Sequence, residues 1–355
     1  MTLQRLLAVL FALVAGAWCL QARADTTCTA SAPPPLLFGS ITSGGAAPTD
    51  TNTAITIRCT TAALSLLATA SVRMCIGLGT GSTGTTLLPT RTMTNAAGPP
   101  LTTGDTLAYQ LYSNSSFSTV YGLVPGGSPG AAVIDLTYEV PLLGGNGTTT
   151  ATVYARIPAG QTLSAGAFSS TYAGPNLTLQ YAYNERLLLA APTPAACNSA
   201  SGVTGQKTST VDFPFTVSAT VLPQCSTYVT TDMDFGSNAG AVTTNIDRLS
   251  TIQLTCINRT AYSVGLNNGQ NVQGTTRRMR LTPVGSSTSY YIPYELYRDA
   301  QRTLRWGNTL NVDTVTGTGN GAAQTLTVYG RTPPTTGAIP AQGAYSDVVT
   351  VTITY

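Results

Sequence analysis

The chain is written twice. Residues 153–158 read VYARIP and residues 328–333 read VYGRTP, and each phrase runs on to a Gly-Ala-aromatic-Ser step: Gly166-Ala167-Phe168-Ser169 and Gly343-Ala344-Tyr345-Ser346. The same spacing separates Cys28 from Cys59 and Cys225 from Cys256, with Phe-Gly-Ser inside both intervals at 38–40 and 235–237. Asp50 answers Asp247, Ile55 answers Ile252, and Gly77-Leu78-Gly79 answers Gly265-Leu266-Asn267. Tyr109-Gln110-Leu111-Tyr112 answers Tyr294-Glu295-Leu296-Tyr297, Tyr121-Gly122 answers Trp306-Gly307, and the closing runs end at Tyr183 and Tyr355. Matches that keep one order with modest gaps mean a tandem duplication, so a fold available to one copy must suit the other. Each copy spans roughly 130 to 160 residues, the size of one domain.

The runs FTVSATV (215–221), LTLQYAY (177–183) and VTVTITY (349–355) set β-branched or aromatic residues at alternate positions, which suits half-buried strands. Turns rich in Gly, Pro, Asn and Ser separate such runs, so the expected fold class is all-β, two tandem sandwiches. The expected boundaries are a leader at 1–24, a first domain at 25–200 and a second at 201–355. The leader reads MTLQR, then LLAVLFALVAGAWCL, then Ala22-Arg23-Ala24. A basic start, a short apolar run and an A-x-A site describe a signal peptide cut after Ala24, and the run is short for a membrane span. An exported chain is expected.

Charged residues make up only 9% of the chain, but 43% apolar content is enough for a core rather than disorder. With Arg5 and Arg23 in the leader, 15 basic residues remain against 14 acidic ones. They form no patch, so neither nucleic acid nor an anionic membrane is an expected partner. Setting Cys19 aside with the leader leaves six cysteines, for which about 15 pairings exist. The repeat makes Cys28–Cys59 and Cys225–Cys256 equivalent pairs and leaves Cys75 with Cys197. Disulfides suit an exported chain, each stabilising by about 2 to 4 kcal/mol. A metal site would need CxxC spacing or histidine, and the histidine count is 0.

The same count removes Ser-His-Asp and Cys-His chemistry, and the acids are scattered singly. Asp232 and Asp234 form a D-x-D that reads as a turn before Phe235. GTGSTG (79–84) fits a dinucleotide fingerprint, but the TTLLPTR after it has no helical period, so it reads as a loop. No catalysis and no cofactor are expected.

FTVSATVLPQC, the FGS step, IQLTC, YELYRDAQRTLRWG, TLTVYGRTP and GAYSDVVTVTITY resemble the spore coat protein U domain, which is also the pilin domain of archaic (Csu-type) chaperone–usher pili. The second copy matches throughout 211–355, the first more loosely. The resemblance implies immunoglobulin-like sandwiches, the C-terminal one an incomplete pilin fold lacking its last strand. It also implies a two-domain tip adhesin that promotes attachment and biofilm formation. Its partners would be a periplasmic pilus chaperone, an outer-membrane usher, and a next subunit donating its N-terminal strand by β-augmentation. The acceptor groove would lie along the C-terminal run with Val349, Val351, Ile353 and Tyr355. Only Asp25-Thr26-Thr27 precede Cys28, too few for a donor strand, which suits the tip position. Phe213, Phe215, Val217, Ala219 and Val221 of 212–221 either close the first domain as an in-chain donor or open the second.

The first copy is longer than the second in three stretches, and insertions in a sandwich are expected in loops. These hold Leu64, Leu66 and Leu67; Val140, Leu142 and Leu143; and Leu187, Leu188 and Leu189. Exposed leucines there would form an adhesive face for an apolar or host surface. A secreted coat or matrix protein, or a tip lectin, is the alternative.

Overall fold

The computed structural model describes residues 25–63, 67–97, 103–198, 202–209, 213–282, 290–337 and 339–355. The expected leader, Leu64, Leu66 and Asp212 lie outside these. The chain is all-β apart from one 3₁₀ turn at Gly174–Asn176 among the described residues.

The first unit holds β1 (Thr26–Ser31), β2 (Leu36–Ile41), β3 (Thr49–Thr61), β4 (Ala68–Leu78), β5 (Arg91–Asn95), β6 (Thr106–Tyr112), β7 (Ala132–Val140), β8 (Gly145–Ile157), β9 (Gly166–Tyr172), β10 (Leu177–Leu187), β11 (Gly205–Ser209) and β12 (Phe215–Val221). One sheet runs β1-β3-β8-β6-β5-β9-β12-β2 and the other β11-β10-β4-β7, and both contribute to one core. The second unit holds β13 (Cys225–Thr230), β14 (Ile246–Cys256), β15 (Ala261–Leu266), β16 (Arg277–Thr282), β17 (Tyr291–Tyr297), β18 (Val315–Thr318), β19 (Ala323–Thr332), β20 (Ala344–Ser346) and β21 (Val351–Thr354). Its sheets run β13-β14-β19-β17-β16-β20 and β18-β15-β21, over a separate core.

Alternation in the sequence becomes alternation in burial. In β3, Thr53, Ile55, Ile57, Cys59 and Thr61 face inward while Asn52, Ala54, Thr56, Arg58 and Thr60 face solvent. A period of two places every second side chain on the same face, which is why an apolar residue at each second position suffices.

The strand orders show what the repeated phrases do. In the first unit Arg156 Nε and Nη2 each donate at 2.7 Å to Asp50 on the neighbouring strand; in the second, Arg331 donates to Asp247 at 2.8 and 2.9 Å. The arginine of VYARIP and VYGRTP therefore ties the outer face of the same two strands in each copy. The Phe-Gly-Ser step turns on Gly39 and Gly236, whose φ angles of 73° and 82° are costly for residues with a Cβ. Arg91 and Arg277 are fully buried at equivalent places. Arg91 Nη2 donates to Leu78 O and Tyr121 O at 2.9 and 2.7 Å, and Arg277 Nη2 to Leu266 O and Trp306 O, both at 2.8 Å. Gln110 accepts from Arg91 where Glu295 accepts from Arg277.

Although β11 and β12 follow residue 200, they belong to the first unit's sheets, so the structural break falls at 222–224 instead of 200/201. Their register explains it: β11 pairs with β10, and β12 is flanked on both sides by first-unit strands. Across the break, Arg259 Nη2 donates to Asp105 at 2.6 Å, Asn258 Nδ2 donates to Thr103 O at 3.1 Å, and the Ala165 N–H donates to Asn258 O at 2.8 Å.

Candidate functional site

Phe213, Phe215, Val217, Ala219 and Val221 are all buried in the first core. Phe215, Val217, Ala219 and Val221 lie on one face of β12, which runs antiparallel to β9 and parallel to β2, and Phe213 precedes the strand. Side chains across the β9 pair are matched in size. Phe215 stacks on Tyr172 with centroids 4.8 Å apart, Val217 faces Ser170, and the small Ala219 faces Phe168. Pro214 sits just outside the strand, where its missing N–H breaks no ladder bond.

Among the described residues the second unit has no counterpart of β12. Its larger sheet ends at β20, the counterpart of β9, and residues 231–239 form no strand where β2 stands in the first unit. Between them lies a groove of 430 Å³. Met233 and Phe235 line one wall, Tyr345, Asp347 and Val349 the other, with Met279, Leu296 and Val328 at its floor. Equivalent residues measure the missing cover. Met93, Phe168 and Tyr172 are fully buried in the first unit, whereas Met279, Tyr345 and Val349 remain half-buried in the second.

Of the C-terminal residues expected along this groove, Val349 and Val351 line it, while Ile353 packs against the core further along β21. Tyr355 lies away from the groove, half-exposed beside Tyr228 of β13. The ladders give the reason. Leu78 pairs with Leu177 and its counterpart Leu266 pairs with Val351, so Tyr355 answers Tyr181 and not Tyr183. The sequence run also misses Asp347, which with the exposed Asp232 supplies the acidic groups of the groove lining. Its Oδ2 accepts from the Tyr294 hydroxyl at 2.8 Å, and its Oδ1 accepts from the N–H of Gln270 at 2.9 Å. Burial, reinforced by the neighbouring carboxylate, holds the Tyr294 phenol well above its ordinary range.

The leucine segments meet at one end of the first unit. The start of β4 lies between the ends of β10 and β7: Ala68 pairs with Leu187 on one side and with Val140 on the other. The extra residues of the first copy therefore lengthen strands, and only their tips are loops. Leu67, Leu142, Leu143, Leu187, Leu188 and Leu189 are exposed there, Leu143 at 95%. Val140 departs from expectation. As the last residue of β7 it turns inward and is fully buried beside Ala68 and Ala70, with the partly buried Tyr138 packed against them. The Leu188 N–H donates to Leu67 O at 3.0 Å, and Thr69 Oγ1 donates to Leu189 O at 2.7 Å, so the 187–189 loop is fastened to β4. Leu188 has a φ of 57°, unusual for a leucine, and is 71% exposed.

Disulfides join Cys28 to Cys59 and Cys225 to Cys256 at equivalent cross-strand positions, and Cys75 to Cys197 across the base of the leucine-bearing loop. Asp234 accepts from the Gly236 N–H at 2.7 Å in a turn, and residues 79–84 form a loop. Among the described residues no group of three or more His, Cys, Asp or Glu could hold a metal ion, and no helix is long and apolar enough to cross a membrane.

The family model described as Spore Coat Protein U domain matches residues 15–173 and 211–352. No curated protein matches the sequence. Among solved structures, the chain is similar to the CsuC–CsuE chaperone–tip adhesion subunit pre-assembly complex from archaic chaperone–usher Csu pili of Acinetobacter baumannii. Identity is 15%, covering 93% of this chain and 100% of that one, with a TM-score of 0.39. It is also similar to the CupB6 tip adhesin from Pseudomonas aeruginosa, at 11% identity over 93% of this chain and 94% of that one, with a TM-score of 0.32. Likeness at this level carries no functional weight.

Proposed function

The chain belongs to the Spore Coat Protein U domain family, and from that premise we propose that it is a tip adhesin of a chaperone–usher pilus. The second unit accepts a strand from another polypeptide: first a periplasmic chaperone, then the next pilin subunit at the outer-membrane usher. The first unit is complete, with β12 serving as its in-chain donor strand, and presents its leucine end to an apolar surface. The observation that supports this reading most is the contrast between the copies. One buries four apolar side chains of β12 beside β9, and the other has a groove beside β20. A sheet edge next to uncovered apolar side chains is a template for β-augmentation.

The apolar end supports the surface-binding part. Six exposed leucines are gathered there, and covering each against an apolar surface returns about 1.5 to 3 kcal/mol. Periplasmic co-expression with the chaperone tests the whole reading. The intact chain is expected to bind the chaperone when both are present, while a chain ending after Val221 stays soluble and monomeric beside it. An intact chain that stays monomeric beside the chaperone would instead make it a free coat or matrix protein.

A further inference from the structure

We infer that Asp347 selects which strand the groove of the second unit accepts: one that presents a hydroxyl or amide donor to it, and not the all-apolar face that closes the first unit. The inference rests on the acceptor reading above. Thr94 pairs with Ser169 and its counterpart Arg280 pairs with Ser346, which aligns β9 with β20. Ser170 then corresponds to Asp347, Phe168 to Tyr345 and Tyr172 to Val349. A strand seated beside β20 in the register of β12 sets one residue against Asp347, where β12 sets Val217 against Ser170.

The carboxylate is fixed in place before any strand arrives. Its Oδ1 accepts from the N–H groups of Gln270 and Asn271 at 2.9 and 3.2 Å and from Asn271 Nδ2 at 3.0 Å, while Oδ2 accepts from the Tyr294 hydroxyl at 2.8 Å. Gly269, at φ 79°, makes room for it, since a Cβ there would collide with the carboxylate. Oδ1 is saturated, whereas Oδ2 has one donor and capacity for another. In the open groove, water can supply that donor. A strand laid over the groove removes the water. An aliphatic residue at this place leaves ionised oxygen against hydrocarbon, which is costly, but a threonine or serine hydroxyl supplies a charge-assisted bond across the pair. Ser170 is neutral, so Val217 is acceptable in the first unit. The 213–221 segment of a second copy therefore suits the first kind of groove and is disfavoured in the second, which keeps copies of this chain from completing one another.

Calorimetric titration of the intact chain with nine-residue peptides tests this. One peptide has the sequence of residues 213–221, FPFTVSATV, and the other carries Val217→Thr, a change that nearly preserves shape. The threonine peptide is expected to bind about tenfold tighter, the worth of one hydrogen bond to a charged group. In an Asp347→Ser chain whose Trp306 emission is unchanged, that preference is expected to disappear. If that variant does not fold, the two peptides on the unsubstituted chain decide alone. Equal affinities, or tighter binding of the valine peptide, overturn the selectivity while leaving the acceptor reading in place. Binding of neither peptide overturns the acceptor reading, and the selectivity with it.

Discussion

Glu185 shows how one side chain can oppose the fold that holds it. Burial raises its pKa above the ordinary 4.5, and the hydroxyl of Thr26, which donates at 2.6 Å, offsets only part of this. A carboxyl whose folded pKa is raised binds its proton more readily in the native state. The first unit therefore gains stability as pH falls from neutral through that raised value, and the gain is complete below the unfolded value near 4.5. Glu185→Gln is expected to be more stable than the parent at pH 7, with the difference vanishing by about pH 4.5; urea midpoints at the two pH values check this. Asp135 and Asp247 behave oppositely. Hydrogen bonds from Arg73 and Arg331 lower their pKa values, so their contribution is lost only as pH falls below the ordinary 3.8. No residue pattern announced Glu185, because its burial comes from β11 and the start of β1, brought beside β10 by the strand order. Val140 was misjudged for a related reason: a valine beside two exposed leucines looks like part of a loop until β7 is known to end on it.

At the level of elements, β12 is where sequence and structure are most closely connected. Its alternation identified the inward-facing side chains, but not which unit's core they enter, since period-two alternation carries no information about the neighbouring strand. The same blindness hid the two-residue slip between the closing strands, for Tyr181 and Tyr183 face the same way and only the ladder separates them. Phe215→Ala removes the ring stacked on Tyr172 and is expected to destabilise the first unit by about 3 to 5 kcal/mol. Trp306 lies in the second core, so its fluorescence transition should stay in place while the β-sheet circular dichroism of the first unit melts earlier. The leucine end makes the complementary case. Leu143 and Leu188 are mostly exposed, so the double change Leu143→Ser, Leu188→Ser should leave the unfolding free energy within about 0.5 kcal/mol of the parent. Retention on a hydrophobic surface should fall at least tenfold. The convergence of these loops was not legible in the chain, where Leu67 and Leu187 stand 120 residues apart with Leu142 between them; it comes from β4 lying between β10 and β7.

Over the whole molecule, duplication made most of the fold readable. Two copies of the same cysteine spacing, the same Phe-Gly-Ser step and the same VYARIP or VYGRTP phrase point to two domains of one plan. What duplication could not disclose is where the copies differ in completeness. In the first, β12 lies between β9 and β2, and the chain continues through 222–224 into β13, with Arg259 and Asp105 bonded across the junction. In the second, the equivalent position is a groove flanked by β20 and residues 231–237. The decisive measurement is amide hydrogen exchange across residues 343–349, on the intact chain alone and mixed with the proposed periplasmic pilus chaperone. These amides should exchange rapidly in the free chain and become strongly protected in the complex, while β9 and β2 stay protected in both. Protection of 343–349 equal to that of β9 in the free chain, or no gain on chaperone binding, would contradict the account.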